Sequence, residues 1–292
     1  MEASPMLLSV VIPAHNEPEN LAPTVTRLTD VLCRAEIPYE IVIVNDNSTD
    51  TTGEIAAELA SADPQIRVVT RTKLEGFGRA VRAGLAVIRG DAVAIVMSDQ
   101  SDDPEDLVRY YRMLEEGYDC VFGSRFRKGS KVVNYPPQKL VINRAVNRLI
   151  QCFFWCPFND LTNAFKIYRR EVIEDCGPYA ASHFNLTIEM SLSALIRRYR
   201  IAEIPIRWYG RHWGVSNLSM WAMGRRYLST VLKIFFERWL IADDIFEERL
   251  LRRAEFLDRV ERTGGALEAA ERDPEQAESE KGPTAPHVIR SG

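Results

Sequence analysis

Four short runs rich in valine and isoleucine, Leu7 to Ile12, Glu40 to Val44, Ile66 to Thr70 and Ala92 to Met97, alternate with helix-compatible stretches at Leu21 to Ala35, Thr52 to Ala62 and Gly78 to Arg89. Strand-length apolar segments separated by amphipathic helices predict an α/β chain with a mainly parallel sheet flanked by helices, a Rossmann-like arrangement. In such a sheet ligands bind outside the carboxyl ends of the strands. The loops after Ile12, Val44 and Met97 are therefore the places to look for chemistry.

Each of those loops carries an acid. The first is Pro13-Ala14-His15-Asn16-Glu17, the second Asn45-Asp46-Asn47-Ser48-Thr49-Asp50, and the third Ser98-Asp99-Gln100-Ser101-Asp102-Asp103. Taken singly they are also good helix-start chemistry, above all Asp102-Asp103-Pro104. Three acids at one sheet edge can instead read a base or ribose and hold a divalent cation through hard oxygen ligands.

Composition excludes several classes. With 46% apolar and 27% charged residues over 292 positions, the chain is neither collagen-like, nor wholly disordered, nor a disulfide scaffold. At this length roughly 70–75% of the unfolded surface can be buried, so no metal or disulfide staple is needed for folding. Five scattered cysteines and no signal-peptide pattern favour reduced thiols in a cytosolic setting, with Cys152 and Cys156 expected to be buried. No apolar run approaches the 20 or so residues of a spanning helix.

The formal charge of −4 conceals a segregation: Cys120 to Asn159 contains no acid but seven bases, Arg125, Arg127, Lys128, Lys131, Lys139, Arg144 and Arg148, which leaves −11 for the rest. Such an island suits an anionic partner, a phosphate or an acidic membrane surface, unless acids from elsewhere in the chain neutralise it in space. Within it, from Ile142, the positions Ala145, Val146, Leu149, Ile150 and Phe153 form an apolar stripe, with Asn147 and Arg148 elsewhere. The stripe ends in Phe153-Phe154-Trp155, as an interfacial helix does. A second stripe comprises Leu228, Val231, Leu232, Phe235, Phe236, Trp239 and Leu240. From Gly264 onward bulky apolar residues nearly vanish, which predicts a disordered tail. The expected organisation is one domain over 1–220, with an acceptor loop and interface helix at about 123–156, then a helical segment over 221–263 and the tail 264–292.

Val10-Val11-Ile12-Pro13-Ala14-His15-Asn16-Glu17 followed by Glu40-Ile41-Val42-Ile43-Val44-Asn45-Asp46-Asn47-Ser48-Thr49-Asp50 strongly resembles the opening of family 2 glycosyltransferases with a GT-A fold. The similarity continues through Gly76-Phe77-Gly78-Arg79-Ala80, the loop at Asp99, Gly123-Ser124-Arg125-Phe126, Asp160-Leu161-Thr162-Asn163-Ala164-Phe165-Lys166 and Gly214-Val215-Ser216. It spans about Ser9 to Ser216 and is closest to the dolichyl-phosphate mannose synthase branch, which moves a sugar from a nucleotide donor to a polyprenyl phosphate.

The resemblance implies roles. Pro13, His15, Glu17 and Asp46 match positions that line the nucleotide pocket, Arg125 an arginine that meets the phosphates, and Asp160 an acid near sugar and acceptor. Arg207, Arg211 and His212 precede the Gly-x-Ser turn of a late phosphate-contact region. The branch usually presents Asp-x-Asp followed by Gln in its metal loop; aligned without a gap from Asp103-Pro104, those positions become Ser98, Gln100 and Asp102, and Asp99 is out of register by one. Asp99 and Asp102 are the expected ligands of Mg²⁺ or Mn²⁺, with Asp99, Asp160 and Arg125 as catalytic residues.

The expected donor is GDP-mannose or a UDP- or dTDP-sugar, and the expected acceptor a polyprenyl phosphate met by Arg125, Arg127, Lys128, Lys131, Arg207 and Arg211. The expected location is the cytoplasm, peripheral to the membrane face. Two other readings are a family 2 transferase with a soluble glycan or hydroxyl acceptor, using Asp160 as base, and a non-catalytic nucleotide-sugar-binding subunit. Gly76-Phe77-Gly78 lacks the third glycine of a dinucleotide fingerprint, and neither a Walker lysine motif nor a nucleic-acid-binding signature is present.

Overall fold

Val10, Val11 and Ile12 are all buried, as are Ile41 through Val44, and strands apolar on both faces need helices on both sides. A computed structural model of the protein shows that arrangement and describes residues 5–210, 220–240, 243, 244, 247, 248, 250 and 251. The elements run β1 (Leu8–Ala14), α1 (Pro18–Arg34), β2 (Tyr39–Asp46), α2 (Thr52–Ala62), β3 (Ile66–Arg71), α3 (Phe77–Leu85), β4 (Ala92–Ile95), α4 (Pro104–Glu115) and β5 (Cys120–Ser124). They continue with β6 (Lys131–Val133), α5 (Pro137–Phe154), β7 (Lys166–Arg169), α6 (Arg170–Cys176), α7 (Leu186–Ile196), β8 (Ile201–Pro205), β9 (Arg207–Tyr209) and α8 (Met220–Leu240). The chain divides into two units, Met1–Ala242 and Asp243–Gly292, and all these elements belong to the first.

The main sheet has the order β3-β2-β1-β4-β7-β5-β8. All neighbours are parallel except those of β7, which runs against both β4 and β5. Because β7 is reversed, its start lies at the same edge as the ends of β4 and β5. One core packs Val10, Ile12, Ile41 and Ile43 against Leu21, Val25 and Leu28 of α1 and Leu107, Tyr110 and Leu114 of α4. The other packs Val11, Val42 and Val44 with Val81 of α3, Ile150 and Phe154 of α5, Leu186 and Met190 of α7, and Val231 and Ile234 of α8. The period-two alternation of β1 and β2 thus feeds both layers.

The structure rotates the expected face of α5. Asn147, expected away from the apolar side, is buried, while Ile142 and Leu149 are exposed. The reason is polar: Asn147 Oδ1 accepts from Leu161 N at 2.7 Å, and its Nδ2 donates to Asn143 O and Thr162 Oγ1, tying α5 to the loop that carries Asp160. Phe154 turns inward and Trp155 is 86% exposed, so the aromatic trio is split between core and surface. Cys152 is likewise exposed, against the expected burial, and Cys156 is buried; all five cysteines are free. Among the described residues no helix is long and apolar enough to cross a membrane. Arg211, His212, the Gly214-Val215-Ser216 turn and the expected tail lie outside the described residues.

Candidate active site

The loops after β1 and β2 are stitched to each other. Asn16 N donates to Ser48 Oγ at 3.1 Å, Thr49 N to Asn16 Oδ1 at 2.9 Å, and Glu17 N to Thr52 Oγ1 at 2.9 Å. His15 Nδ1 lies 2.7 Å from Asp46 O, and its Nε2 lies 3.5 Å from Glu75 Oε2. Pro13 lies within the buried run of β1, which ends at Ala14, and Glu17 is buried and accepts from Asn20 Nδ2 at 2.7 Å. Pro13, His15, Glu17 and Asp46 therefore come together at one sheet edge.

Asp46 is already engaged. Its Oδ1 pairs with Arg71 and accepts from Asn47 Nδ2, and its Oδ2 accepts from Gly76 N at 2.7 Å. Arg71 and Gly76 were not expected to matter to it. Gly76 sits at φ +151°, and a side chain there would place a Cβ 2.5 Å from Ser182 O, so glycine is needed for α3 to start against residues 181–183. The Gly76-Phe77-Gly78 segment is thus filled by protein backbone.

The acidic loop after β4 is folded by its own side chains. Asp99 Oδ1 accepts from Ser101 N at 3.1 Å, Asp102 Oδ2 from Met97 N at 3.1 Å, and Asp103 Oδ1 from Glu105 N, which caps α4. Both Asp99 and Asp102 are buried. Burial, and then the charge of Asp99, push the Asp102 carboxyl up to about 8. Strand β9 clasps the loop from outside: Tyr209 N donates to Ser101 O at 3.0 Å, and Arg207 Nε lies 3.2 Å from Asp103 Oδ2. Arg207 also donates through its backbone N to Asp106 Oδ2 at 2.7 Å. Its guanidinium, expected at a phosphate, is here paired with two acids at the start of α4.

Arg125 and Asp160 meet in a buried fork. Arg125 Nε donates to Asp160 Oδ2 and Nη2 to Oδ1, each at 2.8 Å, and Arg125 N adds a bond to Oδ2 at 3.0 Å. Thr162 Oγ1 donates to Oδ1 at 3.1 Å, so all four lone-pair positions of the Asp160 carboxylate are taken. Although burial opposes its charge, the Asp160 carboxylate holds the Arg125 guanidinium firmly protonated.

Sequence reasoning missed two groups that position this pair. Glu203 Oε1 accepts from Asn159 N at 2.8 Å and Asp160 N at 3.3 Å, and burial raises its carboxyl above the usual range. Lys166 Nζ, fully buried, donates to Leu161 O at 2.7 Å and Ser191 Oγ at 2.6 Å; burial lowers it to about 7 against the pull of Asp160. Lys166 ends the Asp160 motif, so its position was visible; the partners from α7 and β8 were not.

The basic island is partly neutralised in space. Arg125 pairs with Asp160, and Arg127 Nη1 lies 3.3 Å from Glu203 Oε2. Lys128 and Lys131 are exposed, with Lys131 Nζ 5.9 Å from the Tyr209 ring centre. Arg144 lies over the Phe126 ring at 5.4 Å, beside Arg125 at the same distance.

A wound α/β sheet with acids at its β1, β2 and β4 edge and a buried Arg–Asp fork across from them is the layout of a nucleotide-sugar transferase. The profile of glycosyl transferase family 2 matches residues 9–177, and the chain belongs to that family and is a glycosyltransferase. It is 34% identical over 216 residues to the polyprenol monophosphomannose synthase of Mycolicibacterium smegmatis, covering 72% of this chain and 80% of that protein. It is 29% identical to the undecaprenyl-phosphate mannosyltransferase of Micrococcus luteus, covering 80% and 96% of the two chains. Glucosyl-3-phosphoglycerate synthase from Mycobacterium tuberculosis, solved with Mn²⁺, UDP and phosphoglyceric acid, shares the GT-A fold at a TM-score of 0.60 and 20% identity, covering 79% of this chain and 78% of its own.

Proposed function

We propose that the protein transfers mannose from GDP-mannose to a polyprenyl phosphate at a membrane surface. The observation that carries this reading is the saturated Asp160 carboxylate. A hydroxyl acceptor needs a base with a free lone pair. A phosphate monoester, with its second pKa near about 6, is already largely anionic at neutral pH and needs a cationic seat instead. Asp160 then anchors Arg125, which with Lys128 and Lys131 offsets the repulsion between acceptor phosphate and donor diphosphate. Both mannosyltransferase relatives point to the same acceptor class.

Two buried acids three positions apart suit a divalent cation, and among the described residues there is no larger cluster of His, Cys, Asp or Glu that could cage one. Mg²⁺ is typically bound by one or two carboxylates plus substrate phosphates. Asp99 and Asp102 would hold Mg²⁺ or Mn²⁺, which supplies charge stabilisation to the departing diphosphate. Pro13, His15, Glu17 and Asp46 form the nucleotide side. Membrane contact falls to α5 and α8: Val141, Leu149, Arg144 and Arg148 are exposed on α5, Trp155 just after it, and Phe236 and Trp239 on α8.

Purified protein incubated with labelled GDP-mannose, UDP-glucose or a dTDP-sugar, detergent-dispersed polyprenyl phosphate and Mg²⁺, Mn²⁺ or chelator tests this. Lipid-linked mannose is expected, lost with chelator. The D99A/D102A variant should need at least about 10- to 100-fold more metal, the loss that even an outer-shell change causes. Equal transfer to a soluble glycan without lipid overturns the acceptor; full activity of the double variant overturns the metal ligands.

A further inference from the structure

We infer that Tyr135 is a positioning residue for Arg125: its hydroxyl fixes the one end of the guanidinium that Asp160 does not hold, and so sets how that end meets the acceptor. The inference rests on the acceptor reading above. A guanidinium carries five N–H groups in a rigid fork. Nε and one N–H of Nη2 go to Asp160, and the other N–H of Nη2 reaches Thr162 Oγ1 at 3.3 Å. Nη1 touches neither; its partner among the described residues is the Tyr135 hydroxyl at 3.3 Å. That leaves one N–H of Nη1 for a ligand oxygen.

Two contacts to a carboxylate still let the planar group tilt about the line through Nε and Nη2. A third contact at Nη1 stops that tilt. Arg125 can only donate, so the phenol oxygen is the acceptor, whichever end of a neighbouring amide also meets it. That amide is Asn143 of α5, whose Nδ2 donates to the same hydroxyl oxygen. One turn further along α5, Asn147 donates to Thr162 Oγ1. Both ends of the guanidinium are therefore referred to the same helix.

Tyr135 is itself held firmly. Its ring stands edge-on to Trp208 of β9, with centroids 4.9 Å apart. Pro136 after it disfavours helical backbone at Tyr135, and Asn134 before it sits in the left-handed region at φ +56°, a conformation that asparagine tolerates. Gly210 N closes this turn by donating to Val133 O at 2.8 Å, and a Cβ on Gly210 would lie 2.5 Å from Asn134 O. Backbone held in a sparsely populated region clusters where geometry matters to function. Packing on Trp208 needs only the ring; the hydroxyl serves Arg125.

The full-length chain is assayed with labelled GDP-mannose, Mg²⁺ and varied detergent-dispersed polyprenyl phosphate. Y135F keeps the ring and removes only the hydroxyl. It is expected to raise the acceptor KM about tenfold, the lower end of what a hydrogen bond to a charged group contributes, with donor KM and thermal midpoint unchanged. R125K keeps the charge but has no Nη1, so adding Y135F to it should cost nothing further. In the free protein, nitrogen NMR signals of the Arg125 guanidinium, assigned with R125K, should be resolved in the wild type and averaged by faster rotation about Cζ–Nη1 in Y135F.

An acceptor KM unmoved by Y135F, the same loss in the R125K background, or identical Arg125 signals in wild type and Y135F each overturn the role. A rise in both donor and acceptor KM with a lowered thermal midpoint reduces Tyr135 to packing and overturns it too. If the wild type fails to mannosylate polyprenyl phosphate, the proposed function falls, and the nitrogen signals, read without acceptor, still decide whether Tyr135 holds Arg125.

Discussion

The two halves of the sheet edge hold their charges differently. On the proposed donor side, His15, Asn16, Glu17 and Asp46 are tied largely by backbone groups and small polar side chains of the neighbouring loop, with Arg71 paired to Asp46. On the other side, Arg125, Lys166, Asp160 and Glu203 form a buried network of ionisable groups drawn from the exit of β5, the loop before β7, β7 itself and β8. Loops stitched by neutral bonds can adapt to a base and a ribose. A buried ionic network holds one geometry, because each charge left alone is expensive.

The largest expected effect comes from breaking the fork. Replacing Arg125 by methionine leaves Asp160 buried and uncompensated, at a cost of about 3–5 kcal/mol. Urea denaturation checks it, and a loss below about 1 kcal/mol would show that water already reaches Asp160. Next is Lys166. Its folded pKa near 7 lies below the ordinary 10.5, so the unfolded chain binds more protons between those values, and its contribution to stability rises with pH across that window. Stability of the wild type relative to K166M should therefore climb from pH 7 toward pH 10, and a flat difference refutes a depressed lysine. The smallest effect is at Arg127, half exposed beside Glu203, where R127Q should cost under about 1 kcal/mol and leave the Asp160 loop in place. A larger loss would extend the buried network to the surface.

The donor half was the more legible. Helix α2 spans the expected residues, and β1 to β4 fall within two residues of expectation at each end, because period-two and helical spacing are local properties. Strands β6 to β9 are three to five residues long and carry no comparable signal. The α5 face was misread for a related reason: hydrophobicity ranks Leu149 above Asn147, but the Asp160 loop needed an amide to satisfy Leu161 N. The island of seven bases was plain in the sequence. That Glu203, more than seventy residues away, would neutralise one of them was not, since pairing across a sheet leaves no trace in spacing.

The reversed strand β7 has a consequence for how such a scaffold diversifies. Four loops, after β1, β2, β4 and β5, reach this edge as exits from their strands, whereas the 155–165 segment reaches it as an entrance. Lengthening or replacing that entrance would change the proposed acceptor side without moving the register of β1, β2 and β3. One lineage can therefore keep its nucleotide preference while trying new acceptors, and the antiparallel strand is the seam along which the two specificities drift apart.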